Sequence, residues 1–363
     1  MAGLLKQIGI ELPIIQAPMA GTSTPAMAAA VTNAGALGSI GVAATNPAGA
    51  RAIIEALKAQ TSGPFNVNVF CHKPAMARPE REHDWLMALK PVFVRYGAEP
   101  PATIREIFTS FLADDAMLEL LLETRPAVVS FHLGLPSAAA IAKLKAAGIV
   151  LFSSATNLDE AEQGVQAGVD AIVAQGYEAG GHRGAFDPAA PDARMGVLPL
   201  TRLLVSKIAL PVIAAGGIMD GAGIAAALNL GAVAAQLGTA FIACPESSAD
   251  QYHRDALFGP GAAMTEMTAL ISGRRARCLP NKFTALKNAE LRGVALPDYP
   301  IAYDAAKALA KAAKFKGEGG FGPQWAGQGA PLARAMPAAD LILVLAEELD
   351  AARGRSRSVL PNR

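Results

Sequence analysis

A (β/α)8 barrel is the fold class this sequence predicts, and three observations predict it. Eight short apolar runs recur before about residue 240 of the 363, each broken by a turn and followed by a helical pattern. Hydrophobic residues make up 52% of the chain against 17% charged and 6% aromatic, so the interior is built of Ala, Val, Leu and Ile, as suits helices packed on a buried parallel sheet. The last two runs end in glycine turns, where barrels commonly hold phosphate. An open doubly wound sheet is the competing arrangement.

In chain order, Ile14 to Ala17 reads as the first strand, ending in Pro18-Met19-Ala20-Gly21, and Pro25 to Ala34 as a helix with proline in its first turn. Leu37 to Gly41 is the second strand. Asn46-Pro47 reads as an N-cap and first helical residue, opening a helix to about Gln60. Phe65 to Phe70 is the third strand, with Asn66 and Asn68 on one face. The segment 72–125 carries charge, prolines and weak helical patterns over Ala102 to Leu112 and Ala116 to Leu122, and reads as an insertion over one end of the barrel. Ala127 to Phe131, Val150 to Ser153, Ala171 to Ala174, Pro211 to Ala214 and Ala232 to Leu237 complete the strands, separated by helical patterns such as Leu158 to Ala167. The barrel is thus expected over residues 1–244. From about Pro245 the strands give way to helical patterns, clearest over Ala249 to Leu257, Asp304 to Ala313 and Leu341 to Ala352, so 245–363 is expected to pack on the barrel and close the substrate site. The final GRSRSVLPNR reads as a loosely held terminus.

A net charge of +1, with no basic cluster interleaved with aromatics, argues against a nucleic-acid partner and for a small-molecule ligand. Cys71, Cys244 and Cys278 are odd in number and far apart, which fits reduced thiols. The first residues do not read as a signal peptide, and no apolar run reaches the roughly 20 residues of a membrane span. The expectation is a cytoplasmic protein, with no membrane partner and an oligomeric state the sequence leaves open. No metal site is expected, because Cys71 and His72 are adjacent rather than spaced for chelation.

The chemistry concentrates in AQGYEAGGHRG, residues 174–184. Gly176, Gly180, Gly181 and Gly184 let backbone approach a ligand, while Gln175, Glu178, His182 and Arg183 supply polar heads. Gly216-Gly217 and Gln236-Leu237-Gly238-Thr239 follow the last two strands, and as turns into helix N-termini they offer N–H donors to a phosphate. Tyr299, Tyr303 and Lys307 recur every four residues and share a face if that segment is helical. They read either as a receptor for an anion or as tyrosines packed on the barrel beside a solvated lysine.

QAPMAG (16–21), FNVNVF with Cys71-His72 (65–72), FHLGLP (131–136), AQGYEAGGHRG (174–184), AAGGIMDG (214–221) and AQLGTAF (235–241) together resemble the motif series of class I nitronate monooxygenases, FMN-containing barrel enzymes formerly called 2-nitropropane dioxygenases. The resemblance implies an FMN phosphate on Gly180, Gly217 and Gln236, Leu237, Gly238 and Thr239, with Gly181 and Gly216 beside them. It implies Asn68 and Gln175 on polar groups of the flavin, and Pro18 and Met19 at the edge of its ring. His182 would face the flavin and either take a proton from the carbon bearing a nitro group or only orient the substrate, with His132, Tyr299, Tyr303 and Lys307 around the substrate. The implied reaction oxidises an alkyl nitronate, such as propionate 3-nitronate, with O2 to a carbonyl compound plus nitrite or nitrate. The alternatives are an FMN-dependent reductase of quinones or enoyl thioesters using NADH or NADPH, and a flavin-free barrel lyase or isomerase. Trp325-Ala326-Gly327-Gln328-Gly329 also resembles the family tail, without a derivable role.

Overall fold

The structure, a computed structural model, describes residues 2–358. Eight of its strands form one parallel sheet: β1 (Ile14–Gln16), β2 (Gly38–Gly41), β3 (Phe65–Phe70), β4 (Val128–His132), β5 (Val150–Ala155), β6 (Ala171–Gln175), β8 (Val212–Ala215) and β9 (Ala234–Leu237). Their order is β1-β9-β8-β6-β5-β4-β3-β2, and Leu37 closes the ring by exchanging backbone hydrogen bonds with Ile14 and Gln16, each of 3.0 Å. This is the (β/α)8 barrel, and each of its strands overlaps an apolar run of the sequence.

Strand parity divides the barrel into layers. Val128, Val150, Phe152, Val173 and Ile213 pack with Ile15 in one cluster, which includes Leu4 and Ile8 of the helix Ala2–Ile8. Their neighbours Val129, Leu151, Ile172 and Val212 pack outward among Leu144, Ala161, Leu200 and Leu204 of the surrounding helices. Continuing along the inward parity, the apolar residues give way to Asn68, Ser130, His132, Ser154 and Gln175 at the carboxyl ends of the strands. Apart from Ser39 and Asn66, which hydrogen-bond to each other at 3.2 Å deeper in the barrel, the gradient places polar groups at one mouth.

Local signals set the helix starts. The side chains of Thr24, Asn46, Ser137, Asn157 and Asp220 each accept a backbone N–H of the first turn that follows. Between β3 and β4 the expectation fails in part. Ala102 to Leu112 is mostly irregular, and the long helix there is Pro79–Arg95, which contains Pro91. An internal proline argues against a helix, but the stripe Trp85, Leu86, Leu89, Val92 and Phe93 is buried against Ile301, Ala305 and Leu309, and this burial outweighs the lost hydrogen bond.

The region after Pro245 contains strands that no apolar pattern announces. β10 (Glu266–Thr268) and β11 (Ala276–Cys278) form a hairpin, and β11 pairs antiparallel with the two-residue β7 (Gly181–His182). The last helix, Ala338–Ser358, covers the start of GRSRSVLPNR; residues 359–363 lie outside the described residues. No helix among the described residues is long and apolar enough to cross a membrane.

The last helix docks where Gly221 opens the helix Gly221–Asn229, with Gly221 N–H donating to Glu348 at 2.9 Å. A Cβ at Gly221 would lie 2.2 Å from the Leu349 nitrogen. Gly221→Ala is therefore expected to destabilise the fold by about 1–3 kcal/mol, read as a lower urea midpoint at unchanged slope.

Candidate active site

A cavity of about 500 Å³ opens at the carboxyl ends of the strands. Pro18, Met19, Asn68, His132, Gln175, Gly180, Gly181, His182, Gly216, Gly217, Gln236, Gly238, Thr239, Tyr299, Tyr303 and Lys307 all line it. Leu237 does not. Strand alternation turns its side chain into the outer core with Ile14 and Phe241, so only its backbone belongs to that turn.

Three glycine-bearing segments make one wall. Gly181, Gly216 and Gly217 have φ of +73°, +125° and +69°, values that L side chains rarely adopt. The residues 325–329, whose role the sequence left blank, lie across them. Gly327 N–H donates to Thr239 Oγ1 at 2.9 Å, Gln328 N–H to the Glu178 carbonyl at 2.9 Å, and a Cβ at Gly180 would fall 2.5 Å from the Gly327 nitrogen. The helix ends contribute less than expected. The helix after β8 starts only at Gly221 behind its own cap, Asp220, and β9 leads into the short 3-10 turn Thr239–Phe241. A phosphate here would be held by loop N–H groups and the Thr239 hydroxyl.

Of the polar heads in the 174–184 loop, two turn away. Glu178 accepts from Val197 N at 2.8 Å, capping the helix Val197–Lys207. Arg183 is buried, paired with both Asp192 oxygens at 2.9 Å, and donates to the Gln175 carbonyl. Gln175 braces the same loop: its Nε2 donates to the His182 carbonyl at 2.9 Å and its Oε1 accepts from Gly184 N at 2.7 Å, leaving one N–H for a ligand. Asn68 Nδ2 donates to the Ser130 carbonyl and hydroxyl, which turns its oxygen to the ligand side.

His132 lines the cavity with both nitrogens engaged. Its Nε2 lies 3.1 Å from the His182 carbonyl, which only accepts, so Nε2 carries the proton and Nδ1 accepts the Ser154 hydroxyl at 2.6 Å. His132 thus stands at the cavity wall, as expected of a residue around the ligand, while both its nitrogens brace protein groups. His182 is ringed by Tyr299, Trp325 and Phe70, with centroids 5.1, 5.3 and 6.1 Å away. Tyr303 and Lys307 share a face of the helix Ile301–Phe315, whereas Tyr299 precedes it and reaches the cavity from the turn. The Lys307 ammonium sits 4.5 Å from the Phe108 ring centre and 5.3 Å from that of Tyr303.

Electrostatically the site sets neutral histidines and phenols beside Lys307 and Arg274, and the exposed Asp250–Lys314 ion pair, at 3.0 Å, also lines the cavity. Burial lowers the pKa of His182 to about 3, helped by His132 and Arg274, and burial likewise lowers His132 and His72 to about 4. Burial pushes the Tyr299 and Tyr303 phenols well above their ordinary range. Arg274 is buried and lowered to about 10, so it stays charged at neutral pH, and no carboxylate forms an ion pair with it among the described residues. Phe70, Ser154, Phe108 and Trp325 are among the lining residues sequence reasoning missed, as are Asp250, His253 and Lys314. Phe70 and Ser154 follow the inward parity of β3 and β5, a readable signal, while Phe108 and Trp325 lie in segments without periodicity. No cluster suited to a metal ion occurs among the described residues.

Fold and site define a (β/α)8-barrel protein with a ligand cavity at the carboxyl ends of its strands. The family model for nitronate monooxygenase matches residues 2–348, and the chain belongs to that family. It is 63% identical over 346 residues to a nitronate monooxygenase of Paraburkholderia phytofirmans, covering 95% of this chain and 94% of the relative. A nitronate monooxygenase of Pseudomonas aeruginosa is 55% identical over 343 residues, 94% of this chain and 97% of its own. Among solved structures, a nitroalkane oxidase from Streptomyces ansochromogenes superposes with a TM-score of 0.89 at 40% identity, over 98% of this chain and 100% of that one.

His72, His132 and His182, held neutral by desolvation, predict acid sensitivity, and the lowered pKa of buried His253 adds to it. The folded pKa values of the first three, about 3 to 4, lie below the roughly 6.5 of an unfolded histidine. The unfolded chain therefore binds protons that the folded one refuses, and stability present above pH 6.5 is lost as pH falls toward 4, by up to roughly 1.4 kcal/mol per pH unit for each histidine. The urea midpoint should drop steadily from pH 7 to 5; a flat profile would contradict neutral burial.

Proposed function

We propose that this protein oxidises alkyl nitronates, with propionate 3-nitronate as the type substrate, using O2 and bound FMN, and yields a carbonyl compound plus nitrite or nitrate. The observation that carries this reading is the juxtaposition, in one cavity, of a glycine-lined wall with His182, Tyr299, Tyr303 and Lys307. Membership of the nitronate monooxygenase family implies a flavin. The residues present fit one. The positive-φ glycines and Thr239 form a cradle where side chains would intrude, and Asn68, Gln175 and the Pro18-Met19 backbone offer groups for a polar ring edge. The flavin, when bound, supplies the electron acceptor that passes reducing equivalents on to O2. In this reading residues 1–244 form the FMN-binding barrel, and 245–363 close the substrate side through Tyr299, Tyr303, Lys307 and Trp325.

The side chains then divide the work. The raised phenol pKa values keep Tyr299 and Tyr303 protonated, so both can donate to the oxygens of a nitronate. Lys307 and the buried charge of Arg274 favour an anion in a site where Phe70, Phe108 and Trp325 exclude water. His182 stands unprotonated. With a neutral nitroalkane it takes the proton from the carbon bearing the nitro group, and the nitronate anion formed beside it favours the resulting imidazolium. With a preformed nitronate no proton needs to move, and the ring only orients the substrate.

Two experiments test this. Under anaerobic conditions propionate 3-nitronate should bleach the flavin absorbance of the purified protein, and NADH or NADPH should not. Bleaching by the nicotinamide alone would replace the reading with a reductase, and a colourless protein that cannot be reconstituted with FMN would remove the cofactor. His182→Asn should lower kcat/KM for a neutral nitroalkane on the order of 100-fold or more, with a much smaller loss on the nitronate. Equal losses on both substrates would refute the role as base.

A further inference from the structure

Ser272 lies in the turn between β10 and β11 and is fully buried. Its hydroxyl is 3.0 Å from His182 Nε2 and donates to the Arg274 carbonyl at 3.0 Å, while Arg274 N–H approaches it at 3.4 Å. A hydroxyl has one proton to give. That carbonyl receives no other hydrogen bond among the described residues, so turning the proton toward His182 would leave a buried acceptor unpaired. Toward His182 the hydroxyl therefore offers a lone pair, and Nε2 must carry the imidazole proton.

The surroundings hold this arrangement in place. Gly273 has φ +89°, and a Cβ there would fall 2.8 Å from the Tyr299 nitrogen, so the turn is pressed against the segment that carries Tyr299. On the other side the His182 backbone is fixed by Gln175, by His132 and by the pairing of β7 with β11.

We propose that Ser272 is a positioning residue that locks His182 as the Nε2–H tautomer and makes Nδ1 the nitrogen that accepts the substrate proton. The chemical consequence rests on His182 acting as a base; the tautomer does not. When a neutral nitroalkane reacts, its C–H bond breaks and its electron pair becomes the C=N bond of the nitronate. The proton forms a new N–H bond at Nδ1, and Ser272 keeps accepting from Nε2–H as the ring becomes positive.

The test is 15N NMR of the holoenzyme labelled at its five histidines, with the His182 signals assigned by their loss in His182→Asn. Expected are a protonated Nε2 and an unprotonated Nδ1 in the wild type, retained in Ser272→Thr and giving way to a tautomer mixture in Ser272→Ala. An unprotonated Nε2 in the wild type overturns the proposal, and this readout stands even if a variant fails to fold. In turnover, Ser272→Ala should lose on the order of 10- to 100-fold in kcat on a neutral nitroalkane, more than on the nitronate, with KM little changed and activity recovered in Ser272→Thr. Equal losses in Thr and Ala variants that keep their flavin would show a merely structural serine. If His182→Asn leaves nitroalkane turnover intact, the base reading fails while the NMR result still decides the tautomer.

Discussion

The carbonyl oxygen of His182 accepts from Gln175 Nε2 at 2.9 Å and from His132 Nε2 at 3.1 Å, and the site is built outward from that point. The donors stand at the carboxyl ends of β6 and β4, so the barrel grips the loop at the residue whose ring lines the cavity. Gln175 then holds Gly184 with its other end, and a Cβ at Gly184 would fall 2.8 Å from His132 Cε1. A loop of glycines would otherwise be free to move; here its conformation is determined by two rigid strands and by β11.

The same contacts explain the electrostatics. Holding His132 as a donor to a carbonyl requires it neutral or charged at Nε2, and burial decides for neutral. His132, His182 and His253, each with a lowered pKa, and the protonated phenols of Tyr299 and Tyr303 then line a space whose positive charges are Lys307 and Lys314 at its wall and Arg274 behind it. The carboxylate among the described lining residues, Asp250, is paired with Lys314 at 3.0 Å, so an anionic ligand meets no unpaired negative charge there. The cost is a fold that resists protonation at several buried sites at once.

Much of the fold was legible because the barrel is a repetitive object. Apolar runs bounded by glycine and proline, with caps such as Asn46 and Asn157, mark strand and helix by local chemistry, and all eight strands followed from it. The glycine loops were legible for the same reason. Pro79–Arg95 was not, because Pro91 argues locally against a helix that only burial against a distant helix supports. The hairpin of β10 and β11 was hidden because three-residue strands carry no periodicity.

At the site, the residue types were readable and their duties were not. The sequence by itself determined the barrel and pointed to the glycine turns and to His182, Tyr299, Tyr303 and Lys307, all of which line one cavity, because alternation, spacing and backbone permissiveness are local properties of the chain. Only the tertiary structure decided that Glu178 and Arg183 turn away to brace the loop, that His132 spends both nitrogens on it, and that Trp325 and Ser272 flank His182. Each of these is a hydrogen bond or ring contact whose direction depends on how the loops lie over one another, and for His132, Trp325 and Ser272 the partner is 22 to 143 residues away, where no periodicity reaches.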